Sequence, residues 1–245
     1  MKSKGIPTPR SAIEAVLAAI APIKDTRILD SGCGSGELVG ALAGLGAAVT
    51  GIDPEAAAVA LAQKRCPEAE FKIGAAERLP FESGSFDAVV MVNSLHHVPV
   101  KAMALALQES KRVLACGGHL IVIEPEARGS FFEALRPIED ETEIRAAAQK
   151  AISEAVASGL WESVHEFSYT RTESFADVSA FVARVVAVDP LRQQAADRKF
   201  GEIEALFQSE SRRGGNGLHE LDQPILVWVL IPILRKQRGP DKSGP

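Results

Sequence analysis

A glycine-rich turn is the clearest chemical feature of the sequence. An apolar run at 27–29 leads into Asp30-Ser31-Gly32-Cys33-Gly34-Ser35-Gly36, in which glycines stand at alternate positions. Because glycine has no Cβ, such a turn lets the backbone approach a ligand closely and adopt positive φ angles. Residues 37–43 are predicted to form a helix whose free N–H groups point toward the same ligand. The turn predicts a nucleoside site, although similar turns also join a strand to a helix where no ligand binds.

A second apolar run, at 48–52, ends in the carboxylate of Asp53, 21 residues after Gly32. An acid at this distance meets the ribose hydroxyls in dinucleotide-type folds. The dinucleotide fingerprint is Gly-x-Gly-x-x-Gly, and its last position here is Glu37, whose carboxylate would repel a pyrophosphate. The spacing therefore favours a nucleoside cofactor other than a dinucleotide.

Three further segments follow the glycine turn. They are 74–90, with a loop and a predicted fourth strand; 93–98, the loop after that strand; and 113–125, with a helix end, a glycine turn and a fifth strand. Together with the glycine turn, they resemble the class I S-adenosylmethionine-dependent methyltransferases of the type 11 family, which act on small molecules. The resemblance covers roughly residues 25–126, and the remainder matches only in general layout.

The resemblance implies that S-adenosylmethionine is the cofactor and S-adenosylhomocysteine the product, with a small molecule as methyl acceptor. The implied cofactor contacts are Asp30, Gly32, Cys33, Gly34, Gly36, Asp53, Pro54, Ala75, Ala76, Glu77 and Asn93. One position departs from the family pattern, because Ala75 stands where members usually carry an acid that accepts the adenine amino proton. We expect Glu77 or a backbone carbonyl to replace that acceptor, with lower affinity for the cofactor as the consequence.

Methyl transfer from a sulfonium is an in-line displacement, so the protein must align the acceptor, exclude water and, for a protonated acceptor, remove a proton. His96 and His97 lie just past the fourth strand, and histidine suits base chemistry near neutral pH. His97 is the candidate catalytic base, and a structural role in the loop is the alternative for both histidines. No metal is required, and the sequence predicts none.

Candidate acceptor-binding residues lie after the fifth strand. A run of carboxylates either holds a cationic amine or forms a solvated helix face, and a nearby arginine is an equal candidate for a carboxylate substrate. The run is Glu139, Asp140, Glu141 and Glu143, and the arginine is Arg136. For His165 and Tyr169, on a later predicted strand, we expect a role in the core or at an edge rather than in catalysis.

The elements that position these residues follow from the pattern of apolar runs. Five such runs alternate with helical segments, at 27–29, 48–52, 70–73, 86–92 and 119–123. This alternation predicts a doubly wound, mostly parallel α/β sheet with helices on both faces. Ligands bind such sheets at the carboxyl ends of the strands, where every motif above falls.

The rest of the chain completes this fold. Residues 130–158 are predicted as one or two helices that break at Pro137 and cover the cofactor as a lid. A strand at 164–170, a helix capped by Ser174 with Asp177, a helix at 191–211 and a strand at 225–231 follow, and the last strand inserts into the sheet. The result is one seven-stranded domain, with lid and substrate elements at about 130–160 and 174–213 and a disordered tail at 237–245.

Composition limits the partners and the compartment. The net charge of −5 over 245 residues argues against a broad face that binds nucleic acid. The cysteines, Cys33, Cys66 and Cys116, are odd in number and lack the spacing of a zinc site or a disulfide framework, which fits a reducing cytoplasm. No apolar stretch suits a signal peptide or a membrane span, so we expect a soluble cytoplasmic protein.

Two other functions stay open from the sequence. One is a methyltransferase that acts on RNA or protein, which the acidic composition and the absence of an added basic domain disfavour. The other is a non-catalytic module that binds the nucleoside, which the intact glycines and Asp53 disfavour and Ala75 keeps open.

Overall fold

The structure is a computed structural model, and it describes residues 9–233. Its strands are β1 (Arg27–Ser31), β2 (Ala48–Asp53), β3 (Glu70–Ile73), β4 (Phe86–Val92), β5 (Leu114–Pro125), β6 (Trp161–Phe175), β7 (Arg212–Arg213) and β8 (His219–Pro232). Its α-helices are α1 (Ala12–Ala19), α2 (Glu37–Gly44), α3 (Ala56–Arg65), α4 (Met103–Val113), α5 (Ser130–Leu135), α6 (Thr142–Ala157), α7 (Val178–Val188), α8 (Gln193–Arg198) and α9 (Phe200–Glu210).

The strands form one mixed sheet in the order β3-β2-β1-β4-β5-β8-β6. β1 to β5 run parallel, and β8 inserts antiparallel between β5 and β6. This confirms the predicted doubly wound sheet and the insertion of the last strand. The short strand β7, which the sequence did not predict, pairs with β8.

The central strands are buried on both faces because helices cover each side. β1 is buried at 28–31, β4 at 88–91 and β5 at 120–125, as expected for a parallel sheet that is covered on both faces. One core cluster joins the sheet to α4 and α6, and the other joins it to α1, α2 and α3. Packing on both faces holds the sheet in place, and the loops at its carboxyl edge carry the candidate site.

Local capping fixes the ends of two helices. The side chain of Ser11 accepts a hydrogen bond from the backbone N–H of Glu14 at 3.2 Å, which fixes the start of α1. Asp177 caps α7 by accepting from the N–H of Ala180 at 2.8 Å. Ser174 is still part of β6 and does not cap this helix, because β6 continues to Phe175.

The segment predicted as a lid divides into two parts. One face of α6 packs on the core, since its residues Ala148, Ile152 and Ala155 join α4 in the first cluster. In contrast, α5, α7, α8 and α9 form a separate helical cap around a phenylalanine cluster: the rings of Phe131 and Phe181 lie 5.4 Å apart. We therefore restrict the proposed cover of the site to α5 and α7–α9.

The sequence also led us to expect a disordered tail and no membrane-spanning segment. The predicted disorder of 237–245 lies outside the described residues. Within 9–233, no helix has both the length and the apolar character needed to cross a membrane.

Candidate active site

The glycine turn connects β1 to α2 with a backbone that favours glycine. Gly32, Gly34 and Gly36 have φ angles of 85°, 50° and 77°. The N–H groups of Gly32 and Cys33 both donate to the carbonyl oxygen of Ile52, at 2.8 and 3.0 Å. The turn is thereby held against the end of β2.

The three glycines differ in what surrounds them. A Cβ on Gly32 would lie 2.4 Å from Cβ of Ser94, and one on Gly36 would lie 2.9 Å from Cβ of Ala62. A Cβ on Gly34 would meet no protein atom within 4 Å. Gly32 and Gly36 therefore serve internal packing, whereas Gly34 leaves an open face on which a ligand can lie.

Asp53 joins the glycine turn to the end of β2. One carboxylate oxygen accepts from the N–H of Gly34 at 2.9 Å, and the other accepts from the N–H of Glu55 at 2.9 Å. Asp53 is buried although it is an acid, which is possible because both oxygens have partners. Its carboxylate is thus fixed beside the open face of Gly34, and Pro54 follows it in the next loop.

Asp30 is a second acid at the same edge, and it is only 2% exposed. Burial, and after it the charge of Asp53, raise its pKa to about 7. A carboxyl group with this pKa is half protonated near neutrality. It would lose its proton readily if a cation bound beside it.

Cys33 has its side chain in the protein core. Its Sγ lies against Gly51 and belongs to the cluster beneath α2, and burial raises the pKa of the thiol to about 12. Cys33 was predicted to contact the cofactor, and only its backbone, not its side chain, is in a position to do so.

The residues predicted on the adenine side follow β3. The N–H of Gly74 donates to the carbonyl oxygen of Asp53 at 3.0 Å, which brings this loop to the acid. Ala75 and Ala76 are half-buried, and the carbonyl oxygen of Ala75 accepts from the N–H of Arg78. Glu77 is half-buried and forms no ion pair with any residue in 9–233, so its carboxylate is available to a ligand.

The loop after β4 is bonded directly to the glycine turn. Asn93 has a φ angle of 50°, and its N–H donates to the carbonyl oxygen of Ile123 at 2.8 Å. The hydroxyl of Ser94 donates to the carbonyl oxygen of Ser31 at 2.8 Å. The positive φ angle of Asn93 and this hydrogen bond turn the chain across the carboxyl edge of the sheet, and the two histidines follow there.

His96 and His97 occupy different environments. His96 is 4% exposed and its Nδ1 contacts Oε2 of Glu124, a buried residue at the end of β5. The side chain of His97 is exposed on part of its surface. The atoms packed around the rest of the ring exclude water and lower its pKa, and His96 lowers the pKa further. A lowered pKa keeps His97 neutral at pH 7, as a proton acceptor must be.

Two of the four acids predicted to bind an amine pair with arginines. Glu141 pairs with Arg145 at 2.5 Å and with Arg192 at 2.9 Å, and Glu139 pairs with Arg192 at 2.5 Å. Burial acts to raise the pKa of Glu141, but Arg145, His96 and Arg192 outweigh it and lower the pKa. These two carboxylates therefore bind internal cations rather than standing free for a substrate.

The remaining acceptor candidates are on the surface. Asp140 accepts from the N–H of Thr142 at 3.0 Å, Glu143 is exposed, and Arg136 pairs with Glu133 at 2.8 Å. Of the two residues predicted on the later strand, Tyr169 is buried in the second core cluster and His165 is exposed on β6. Their places agree with the expected core and edge roles.

Three residues near the histidines were not singled out from the sequence: Glu124, Arg145 and Arg192. Glu124 was within reach, since β4 and β5 pair Val92 with Ile123 and so place the next residues side by side. Arg192 lies in a turn of the cap, and no local pattern shows that it pairs with the loop before α6. Within 9–233, no group of three or more His, Cys, Asp or Glu side chains is arranged to hold a metal ion.

Comparison with known proteins agrees with this geometry. Residues 29–122 match the family model described as a methyltransferase domain of type 11. The demethylmenaquinone methyltransferase of Chlorobaculum tepidum is 36% identical over 103 residues, which cover 42% of each chain. The chain thus spans less than half the length of the curated relatives it matches.

Solved structures share the fold. A crystal structure from Bacillus halodurans C-125 superimposes with a TM-score of 0.62 at 20% identity, covering 88% of this chain and 96% of that one. A Geobacter sulfurreducens S-adenosylmethionine-dependent methyltransferase, solved with S-adenosyl-L-homocysteine, gives a TM-score of 0.56 at 19% identity and 90% coverage of both chains. Residues 29–122, the part of the chain that matches the methyltransferase domain, are thus similar to proteins named as methyltransferases.

Proposed function

We propose that the protein is an S-adenosylmethionine-dependent methyltransferase that acts on a small-molecule acceptor. The observation that carries the proposal is the carboxylate of Asp53, fixed by the N–H of Gly34, which among the three glycines of the turn is the one whose Cβ position is open. An acid in this place can accept hydrogen bonds from both ribose hydroxyls of a nucleoside. The family match and the relatives named as methyltransferases support the assignment.

The residues at this edge fit S-adenosylmethionine better than a dinucleotide. The turn offers an open backbone at Gly34, Asp53 offers an acceptor for the ribose, and Glu77 offers one for the adenine amino group. Asp30 is a buried acid that suits a cationic ligand. Glu37, the first residue of α2, would place a carboxylate where a pyrophosphate would bind, which disfavours NAD.

The chain's own residues would then prepare the acceptor. When bound, S-adenosylmethionine supplies an electrophilic methyl group and leaves as S-adenosylhomocysteine. His97, neutral at pH 7, accepts the proton of a hydroxyl or amine acceptor as it reacts. The cap of α5 and α7–α9 excludes water and selects the acceptor, as segments next to a fixed scaffold commonly do.

Two alternatives make different predictions. A methyltransferase of RNA or protein would require a basic or extended docking face, which the net charge of −5 does not favour. A non-catalytic module would bind the nucleoside without transferring the methyl group. The name of the Chlorobaculum tepidum relative, a demethylmenaquinone methyltransferase, supports a small-molecule acceptor.

Transfer of an isotope-labelled methyl group tests the proposal. Purified protein is incubated with labelled S-adenosylmethionine and fractionated cell extracts that contain metabolites, RNA or protein. We expect label in a metabolite that depends on the protein and is reduced with Asp53→Ala at limiting S-adenosylmethionine, while Glu68→Ala, which removes an exposed acid away from the site, behaves as wild type. Label in RNA or protein alone would support the first alternative, and binding without transfer to any fraction would support the second.

A further inference from the structure

Two adjacent histidines form a stack with a buried and an exposed member. The ring centroids of His96 and His97 lie 4.1 Å apart, with 41° between their planes. His96 is 4% exposed, whereas His97 faces solvent on part of its surface. Only His97 is thus accessible to an acceptor, and His96 forms part of the surface on which it rests.

Glu124 anchors the buried histidine. Its Oε1 accepts from the backbone N–H groups of Ser94 and Leu95, at 3.2 and 2.8 Å, and its Oε2 contacts Nδ1 of His96. One carboxylate therefore binds three donors of the same loop. A carboxylate partner at Nδ1 fixes both the ring orientation and the nitrogen that carries the proton.

We propose that Glu124 and His96 form a positioning pair for His97, which fixes the orientation of its imidazole and keeps it in the neutral, proton-accepting form. This inference rests on the proposed function, in which His97 is the base. In this arrangement His97 contacts the acceptor, and Glu124 and His96 act through it.

Charge supports this division of roles. Glu124 is 1% exposed, and a carboxylate at that depth is stable only with compensating donors, which the N–H groups of Ser94 and Leu95 and the ring of His96 supply. Any positive charge that His96 carries against Glu124 disfavours a second positive charge on the adjacent ring of His97. The pKa of His97 is lowered in the expected direction, first by burial and next by His96.

The other charged groups around His97 act on its pKa in both directions. From β5, Glu124 raises its pKa; from the loop before α6, Glu141 also raises it; and from the turn after α7, Arg192 lowers it. On α6, Arg145 pairs with Glu141 and neutralises it. Among these neighbours, His96 has the largest charge effect on His97.

The titration of His97, followed by NMR of the imidazole nitrogens, tests the proposal without knowledge of the acceptor. The variants are His96→Asn, whose amide can still donate to Glu124 but carries no charge, and Glu124→Gln. We expect His96→Asn to raise the midpoint of His97 by about one pH unit, the scale of one nearby charge. Glu124→Gln should raise it by less, because that change also removes a negative charge.

His165, exposed on β6, serves as the internal control and should titrate alike in all three proteins. A His97 midpoint that stays unchanged in His96→Asn would overturn the proposal. If Glu124→Gln does not fold, His96→Asn still decides the question. Binding of S-adenosylhomocysteine, measured on the same samples, separates the outcomes: its absence from the wild type refutes the proposed function, whereas an unmoved His97 midpoint with intact binding refutes only the positioning pair.

Discussion

The carboxylate of Asp53 accepts a 2.9 Å hydrogen bond from the backbone N–H of Gly34. This bond ties the end of β2 to the turn after β1 and places an acid beside an open stretch of backbone. The proposed site therefore exists as a fixed surface before any ligand binds.

Gly34→Ala should weaken binding of S-adenosylhomocysteine at least tenfold, because its Cβ would occupy the open face of the turn. Gly84→Ala is the matched control, since Gly84 also has a positive φ and no atom within 4 Å of its Cβ position, but lies before β4. Both variants should lose about 1–2 kcal/mol of unfolding free energy, the usual cost of a left-handed alanine. Denaturant unfolding and calorimetry check both effects, and equal ligand affinity in the two variants would place the ligand away from the turn.

Ala75→Asp should strengthen binding of S-adenosylmethionine by about 1 kcal/mol, since it adds an acceptor for the adenine amino group. Glu77→Gln should weaken binding in the wild type and have less effect in the Ala75→Asp background if both acids reach the same amino group. Isothermal calorimetry on the four proteins measures this coupling. An unchanged affinity in Ala75→Asp would show that the amino group already has an acceptor.

Binding of the cationic ligand S-adenosylmethionine near pH 7 should release a proton from Asp30. Its folded-state pKa is about 7, and a cation bound beside it would lower that value, so the carboxyl gives up its proton on binding. Calorimetry in two buffers of different ionisation enthalpy measures the release, which Asp30→Asn should abolish. Equal heats in the two buffers for the wild type would mean that no cation approaches this acid.

The same acid predicts a pH dependence of stability. Because its pKa is raised from 3.8 in the unfolded chain to about 7 in the folded one, its contribution to stability is complete below pH 4 and is lost as the pH rises to 7. Asp30→Asn removes this loss and should gain on the order of a few kcal/mol relative to the wild type between pH 4 and pH 8. Urea unfolding at both pH values tests this, and a constant difference between the two proteins would contradict it.

His97→Ala should lower kcat about a hundredfold once an acceptor is known, the scale of general-base catalysis. In the wild type, kcat/KM should rise with pH through a midpoint below 6.5, because the pKa of His97 is lowered. His165→Ala is the control, since His165 lies exposed on β6. Normal turnover in His97→Ala would assign this histidine a structural role.

The fold followed from the sequence because its signals are local and repeated. Buried parallel strands such as β1 and β4 are apolar runs, and Ser11 and Asp177 mark helix starts by their side chains. The glycine turn and Asp53 were found because the sheet topology brings consecutive strand ends to one edge.

What the sequence did not show depends on contacts between distant segments. Glu124 and His96 meet only because β4 and β5 are neighbours, and Arg192 reaches Glu141 across the boundary between cap and core. The helix α6 has the composition of a surface helix, and only its packing on α4 places one of its faces on the core. No local sequence pattern shows which distant side chains form ion pairs. The sequence therefore pointed to the acids at 139–141 as candidates but did not show that arginines pair with two of them.

Calorimetric titration of the wild type and Asp53→Ala with S-adenosylhomocysteine, S-adenosylmethionine and NAD measures whether the glycine turn and Asp53 bind an adenosyl ligand. We expect both adenosyl ligands to bind the wild type, NAD not to bind, and Asp53→Ala to lose about 1.5–3 kcal/mol of binding free energy, the scale of hydrogen bonds to a charged acceptor. Wild-type affinity in Asp53→Ala, or binding of NAD in place of the adenosyl ligands, would contradict the account.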